Sequence, residues 1–134
     1  MHWLFKEEPE HYSFDALAGD GRTVWSGVKN PLAQRHLHAV RNGDRIFYYH
    51  TGAQRAIVGI AKALGAAYAD PKDKTGRSAV VDIAAVRKLP RPVTLAEIKA
   101  DPFFKDFPLV RIPRLSVMPV TNETWERVVA MSAT

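Results

Sequence analysis

The sequence predicts an α+β fold with a mostly antiparallel sheet that is curved or closed. Strand-like segments follow one another with short helices between them, not in regular βα alternation. The 134 residues are 46% hydrophobic and 25% charged, which is typical of one globular domain, here residues 1–134. No repeat, low-complexity segment or linker divides the chain.

The first quarter of the chain predicts a strand, a short helix and an extended segment. His2 to Phe5 has the apolar content of a buried strand, and Pro9 ends it because proline lacks a backbone donor. Ser13 is a good N-cap for a short helix over Phe14 to Leu17. Val24-Trp25 is expected to be extended.

The next elements are a helix and two strands. Asn30-Pro31 combines an N-cap side chain with proline at the first helical position, and Gly43 stops the helix. Arg45 to His50 and Ala56 to Ala63 are predicted strands. Gly59 lies within the second strand, where a glycine often marks a bulge or a close backbone approach.

The second half of the chain begins with a polar segment, Tyr68 to Ser78, which predicts a loop. Ala79 to Leu89 resumes as a long strand. Thr94 to Glu97 is a capping box and predicts a further short helix. Leu115 to Val120 is expected to be the last strand, and Asn122 is expected to cap a final helix.

The charge and composition narrow the classes of function. A formal net charge of +5 and a pI near 9.7 favour attraction to phosphate backbones, although ordinary solubilising charge explains them as well. The absence of cysteine excludes disulfides, thiol nucleophiles and thiolate zinc sites. No apolar run approaches the ~18 residues that span a bilayer, and the first strand begins directly after Met1. We therefore expect a cytoplasmic protein without a membrane partner.

The segment from Trp25 to Pro31 carries the clearest functional signal. It places a flat ring, a permissive glycine and a helix N-terminus within seven residues. A planar ligand could stack on Trp25, backbone amides near Gly27 and Val28 could bind its polar edge, and the Asn30 amide could read a donor–acceptor pair. The alternative is structural: Trp25 is then a core aromatic and Asn30 only a cap.

Other polar residues at strand ends have both a functional and a structural interpretation. Lys6 and Ser13 could line a pocket mouth, or they could be a solvated charge and a helix cap. Strand alternation places Tyr48 and His50 on one side, so His50 could act as a base or as a donor, or be a satisfied structural residue. No metal site is expected, since His36 and His38 diverge on a helix.

Two basic groups could follow a phosphate backbone. Arg35 and Arg41 lie with His38 on one face of the predicted helix, and Arg114 belongs to a later basic concentration. The same pattern is also typical of the solvent-exposed face of any amphipathic helix. No glycine-rich phosphate loop and no nucleophile elbow occurs, and no cofactor is expected.

Seven segments, in order, resemble the motifs of the EVE domain, a member of the PUA-like superfamily alongside the YTH and ASCH domains. They cover nearly the whole chain: Trp3-Leu4-Phe5-Lys6-Glu7-Glu8-Pro9, Tyr12-Ser13, Trp25-x-Gly27-Val28-x-Asn30, Gly43-Asp44 with Phe47 to Thr51, Ile57 to Ala61, Ala67-Tyr68-x-Asp70, and Arg114-Leu115-Ser116-Val117-x-Pro119-Val120. One departure lies in the predicted helix. The family commonly has Ala-Arg-Asn there, whereas this chain has Ala33-Gln34-Arg35, and a one-residue move rotates the arginine by ~100°.

The resemblance implies a PUA-like pseudo-β-barrel of mostly antiparallel strands with short helices around it. It also implies a reader that holds a single modified base of DNA or RNA in an aromatic pocket. Carried onto this chain, the pocket comprises Trp25, Gly27, Val28, Asn30, Lys6, Ser13, His50 and Ser116, and the phosphate-contacting surface comprises Arg35, Arg41 and Arg114.

Two other classes of function stay open at this point. A hydrolase acting on a modified nucleoside or on RNA, as in some ASCH relatives, would use Lys6, Glu8 and His50. A protein-interaction module would hold no base in its pocket. The oligomeric state is open as well, with a monomer as the default.

Overall fold

A computed structural model describes all residues from 1 to 134 and contains one seven-stranded sheet flanked by short helices. The strands run in the order β2-β6-β4-β3-β1-β7, and β5 pairs with β6 outside this path. Their bounds are β1 His2–Glu7, β2 Arg22–Trp25, β3 Arg45–His50, β4 Ala56–Ala63, β5 Tyr68–Ala69, β6 Ala79–Thr94 and β7 Val117–Val120.

The helices are short and lie between the strands in sequence. Their bounds are α1 Pro9–Tyr12, α2 Phe14–Asp20, α3 Pro31–His38, α4 Leu95–Ala100, α5 Pro108–Arg111 and α6 Asn122–Ser132, with a 3-10 turn at Pro102–Phe104. None of these helices has both the length and the apolar content that crossing a membrane requires.

The strand pairing confirms the predicted α+β fold with a mostly antiparallel sheet. Only β1 and β3 pair in parallel, with Phe5 opposite Tyr48 and Lys6 opposite Tyr49. The other pairs are antiparallel. The outer strands β2 and β7 do not pair with each other, so the hydrogen-bonded sheet is open rather than closed into a barrel.

The two faces of β1 pack against different helices. On one face, the Trp3 ring lies 6.3 Å from that of His36 in α3, and the Phe5 ring packs against Trp25 of β2. On the other face, Phe47 of β3 stacks on Trp125 of α6 with ring centroids 3.7 Å apart. Neighbouring residues at the end of β1 therefore point into different parts of the molecule.

Gly59 both marks a bulge and allows a close approach, as the sequence predicts. The registers of β3–β4 and β4–β6 shift around it. A Cβ added at Gly59 would lie 2.6 Å from ring carbons of Phe14, so the α2 ring packs directly on this glycine. The position holds α2 against the sheet.

Most helix starts are confirmed, but several bounds and one cap of the prediction are wrong. The helix expected over Phe14 to Leu17 runs to Asp20, and α3 ends at His38, well before Gly43. The side chains of Ser13, Asn30 and Thr94 accept hydrogen bonds from the first turns of α2, α3 and α4. Thr121, not Asn122, caps α6. The segment predicted as a loop begins with strand β5, and the strand expected to end at Leu89 continues to Thr94 because it pairs with β4 over that length.

Candidate nucleic-acid interface

Trp25, the expected wall of a base pocket, ends β2 and lies almost entirely within the core. Its ring is centred 5.4 Å from that of Phe5 and 5.4 Å from that of Tyr48, which meets it edge to face. Only 6% of Trp25 is exposed. A ligand can therefore touch only a small part of the indole unless the side chain moves.

That exposed part borders a cavity of about 180 Å³, which we name the Trp25 cavity. Glu7, His11 and Tyr12 form one side, where β1 passes into α1. Thr23, Val24, Trp25 and Ser26 form the other side. The volume lies below the range of drug-sized ligand sites, and it suits one flat group rather than a whole nucleotide.

A second cavity of about 240 Å³ adjoins the first and shares Val24 and Ser26 with it. Its aromatic wall is Tyr68, which is 43% exposed. The Tyr68 hydroxyl donates to Asp82 at 2.6 Å, so the ring is held in place. This hydrogen bond raises the pKa of the Tyr68 hydroxyl.

Glu7 supplies the only carboxylate of the Trp25 cavity. One of its oxygens accepts from the Glu8 amide at 2.9 Å, and the other lies 3.1 Å from Nδ1 of His11. Each oxygen has a second lone pair, so the carboxylate can accept a further hydrogen bond from a ligand. An amino group is the matching donor.

The loop after Trp25 is built as a rigid connection. Gly27 adopts a positive φ of 76°. The Asn30 side chain caps α3 by accepting from the Ala33 amide at 3.0 Å. Gln34 donates to the carbonyl of Val28 and accepts from the Ala79 amide at 2.9 Å, which ties the loop to β6. Gly27, Val28 and Asn30 line no cavity of the protein.

His50 is engaged by the protein on both ring nitrogens. Its Nε2 accepts from the Phe14 amide at 3.0 Å, which places the proton on Nδ1, and Nδ1 donates to Gln54 at 2.8 Å. His50 is 8% exposed and lies edge to face against Tyr48. Both nitrogens are thus used to connect β3 to α2 and to the following turn.

Lys6 lies in a different cavity from Trp25. Its Nζ donates to the Pro113 carbonyl at 2.8 Å and lies 5.6 Å from the centre of the Tyr49 ring. Burial lowers the pKa of the Lys6 ammonium. The cavity has a volume of about 240 Å³, and Arg55 and Lys99 line it as well. We name the site formed by these three cations the basic cleft.

The remaining predicted residues have structural contacts or lie free on the surface. Ser13 caps α2, and the Ser116 carbonyl accepts from the Lys6 amide at 2.9 Å. Arg35 and Arg114 are exposed. Arg41 is exposed too, but its guanidinium donates to carbonyls at the end of α3. The structure brings Trp25 together with none of the other residues predicted for the pocket in one cavity.

Several residues of these cavities are absent from the predicted set. Glu7 and Ser26 lie inside the quoted motifs, where spacing alone does not distinguish them from their neighbours. Arg55 and Lys99 are distant in sequence and meet only through the pairing of β4 with β6. No three His, Asp or Glu side chains are arranged to hold a metal ion.

The sheet order and the helices define an α+β domain with an open, mostly antiparallel sheet. The EVE domain model matches residues 1–131, and the chain belongs to that family. Thymocyte nuclear protein 1 of Gallus gallus is 30% identical to this chain, over 97% of this chain and 68% of the relative.

Two solved structures share the fold over nearly the whole chain. An NMR structure from Rhodopseudomonas palustris is 45% identical with a TM-score of 0.94, over 98% of this chain and 92% of that one. Human THYN1 protein, solved in complex with DNA that contains 5-methylcytosine, is 28% identical with a TM-score of 0.90, over 99% of this chain and 98% of that one.

Proposed function

We propose that this protein is a reader of DNA that holds one modified base, with 5-methylcytosine as the first candidate, in the Trp25 cavity. The observation that carries the proposal is the likeness to human THYN1, whose complex contains 5-methylcytosine DNA, across 99% of this chain. The net charge of +5 favours the same partner, because a basic domain is attracted to phosphates.

The chemistry of the cavity suits a cytosine. A carboxylate is the acceptor that pairs with the cytosine amino group, and Glu7 presents one. Tyr12 and the exposed part of Trp25 offer aromatic surface to the ring. A methyl group buried against Val24 contributes ~0.8 kcal/mol, about a fourfold preference over unmodified cytosine.

A cytosine in a duplex must leave the stack before it enters this cavity. Extrusion costs a few kcal/mol and is easiest at a mismatched base. Stacking on aromatic side chains offsets this cost with a binding free energy of ~1–3 kcal/mol per base. Binding of a mismatched duplex is therefore expected to be tighter than binding of a matched one, with the methyl preference retained in both.

The test compares duplexes that differ only in one methyl group, with RNA of the same sequence alongside. Ser26→Trp is the blocking variant, since Ser26 is exposed and borders both adjoining cavities. Ala130→Trp is the matched control, because Ala130 is exposed on α6 and lines no cavity. We expect the blocking variant alone to lose the methyl preference.

Equal affinity of the two Trp variants for the methylated duplex would contradict the proposal. The geometry does not support the hydrolase alternative, because Lys6 lies in the basic cleft while both ring nitrogens of His50 are hydrogen-bonded within the protein.

The cytoplasmic location and the monomeric state stay predictions. Size-exclusion chromatography measures the oligomeric state.

A further inference from the structure

The basic cleft is a concave surface lined by cations and by no acidic residue. Its cavity of about 240 Å³ contains Lys6, Arg55 and Lys99. A neighbouring cavity of about 390 Å³ shares Arg55, Leu95 and Lys99 with it and has no acidic lining residue either. Together the two cavities form one groove with an excess of positive charge.

The charges of this groove are not neutralised within the chain. Every ion pair of the protein involves other residues, so Lys6, Arg55 and Lys99 have no carboxylate partner. Lys6 is held in place by the Pro113 carbonyl and the Tyr49 ring instead. Like charges gathered around one cavity repel each other, and a bound anion relieves that repulsion.

The backbone of Arg55 supports a binding role for its side chain. Arg55 is the only non-glycine residue with a positive φ, 43°. Its carbonyl accepts from the Leu95 amide at 2.8 Å, which fixes the turn between β3 and β4 against α4. A glycine would adopt this conformation without strain, so an arginine here costs stability. Strained residues of this kind cluster at ligand sites.

The basic cleft and the Trp25 cavity lie on opposite sides of the same strand end. Lys6 lines the cleft, and Glu7, the next residue, lines the Trp25 cavity. The Thr51 amide donates to the Glu7 carbonyl at 3.0 Å, and Thr51 also lines the cleft. Successive residues of β1 therefore line the two sites, one on each face of the strand.

We infer that the groove formed by Lys6, Arg55 and Lys99 binds phosphodiester groups of the nucleic acid that the protein reads. This inference rests on the proposed function for its ligand. It assigns the phosphate contacts to the turn before β4 and to α4, in addition to Arg35, Arg41 and Arg114 on the surface.

The test measures the salt dependence of binding to a 12-base-pair duplex with one central 5-methylcytosine, and to its unmethylated copy. The variants are Arg55→Gly and Lys99→Gln. Each lost phosphate contact lowers the slope of log K against log salt by ~0.9, which weakens binding about eightfold at 0.1 M salt. Arg55→Gly is expected to keep or raise the thermal midpoint, since it removes the strain.

Lys62→Gln is the matched control, because it removes the same charge from an exposed residue without an ion pair at the far end of β4, roughly 20 Å away. We expect its slope to equal that of the parent protein. An unchanged slope in both cleft variants overturns the inference, and the proposed function stands if the methyl preference persists. A reduced slope without any methyl preference supports the cleft and overturns base reading instead.

Discussion

The contact between Gly59 and Phe14 gives a prediction whose magnitude follows from the structure. In Gly59→Ala the new methyl carbon would lie 2.6 Å from the Phe14 ring, which must move by about 1 Å to reach an ordinary contact of ~3.5 Å. The ring is 2% exposed and packs edge to face on Tyr48, so it has no free space to enter. We expect a loss of ~3 kcal/mol, the upper part of the range for overpacking.

Urea and thermal unfolding measure this loss. A cost of ~3 kcal/mol lowers the midpoint by about 10 °C in a domain of this size. Gly65→Ala is the matched control, because no heavy atom lies within 4 Å of the added carbon, and it should stay within ~0.5 kcal/mol of the parent. In the double variant with Phe14→Leu, the two costs should fall short of additivity by ~1 kcal/mol or more. An additive pair, or a stable Gly59→Ala, would refute the reasoning.

Two further predictions concern hydrogen bonds that hold the fold. Asp44→Ala leaves the Trp3 indole and the Arg41 amide without their acceptor and should cost ~3 kcal/mol by urea unfolding. Burial raises the pKa of Asp44, but hydrogen bonds from Trp3, the Arg41 amide and the N-terminus outweigh it and leave the pKa below its usual value. The cost should therefore be constant above pH ~5 and shrink as the pH falls below ~4; a cost that grows in acid would contradict this. Asn30→Ala removes the α3 cap and should cost ~1 kcal/mol, whereas Asn42→Ala, an exposed control without a hydrogen bond, should cost nothing measurable. Equal costs for the two asparagines would show that the cap is not needed.

The features predicted correctly from the sequence depend on residues close together in the chain. Ser13, Asn30 and Thr94 cap their helices because a side-chain oxygen needs only the amides of the next turn. The final cap lies one residue before the predicted position, since Thr121 and Asn122 are both good caps and local chemistry does not distinguish them. Strand β5 has no signal in the sequence because its two residues are extended only through pairing with β6.

The candidate site depended on contacts that a sequence does not display. Whether Trp25 is a pocket wall or a core residue is decided by Phe5 and Tyr48, which reach it from β1 and β3. Separation of Lys6 from Trp25 follows from strand alternation, because Phe5 contacts Trp25 and the next residue faces the other way. The sequence does not predict the basic cleft, because the cleft forms only when β4 pairs with β6 and the turn at Arg55 meets α4.

The central claim, that a methylated base enters the Trp25 cavity, is tested most directly by the indole N–H signals in an NMR titration with 5-methylcytosine DNA. The chain has three tryptophans, so each reports on one place. Trp3 is buried with its indole bound to Asp44, and Trp125 stacks on Phe47 on the other face of the sheet, so both are internal controls. We predict a shift of the Trp25 signal alone, larger with the methylated duplex. A Trp25 signal that stays fixed while the DNA is bound would contradict the account.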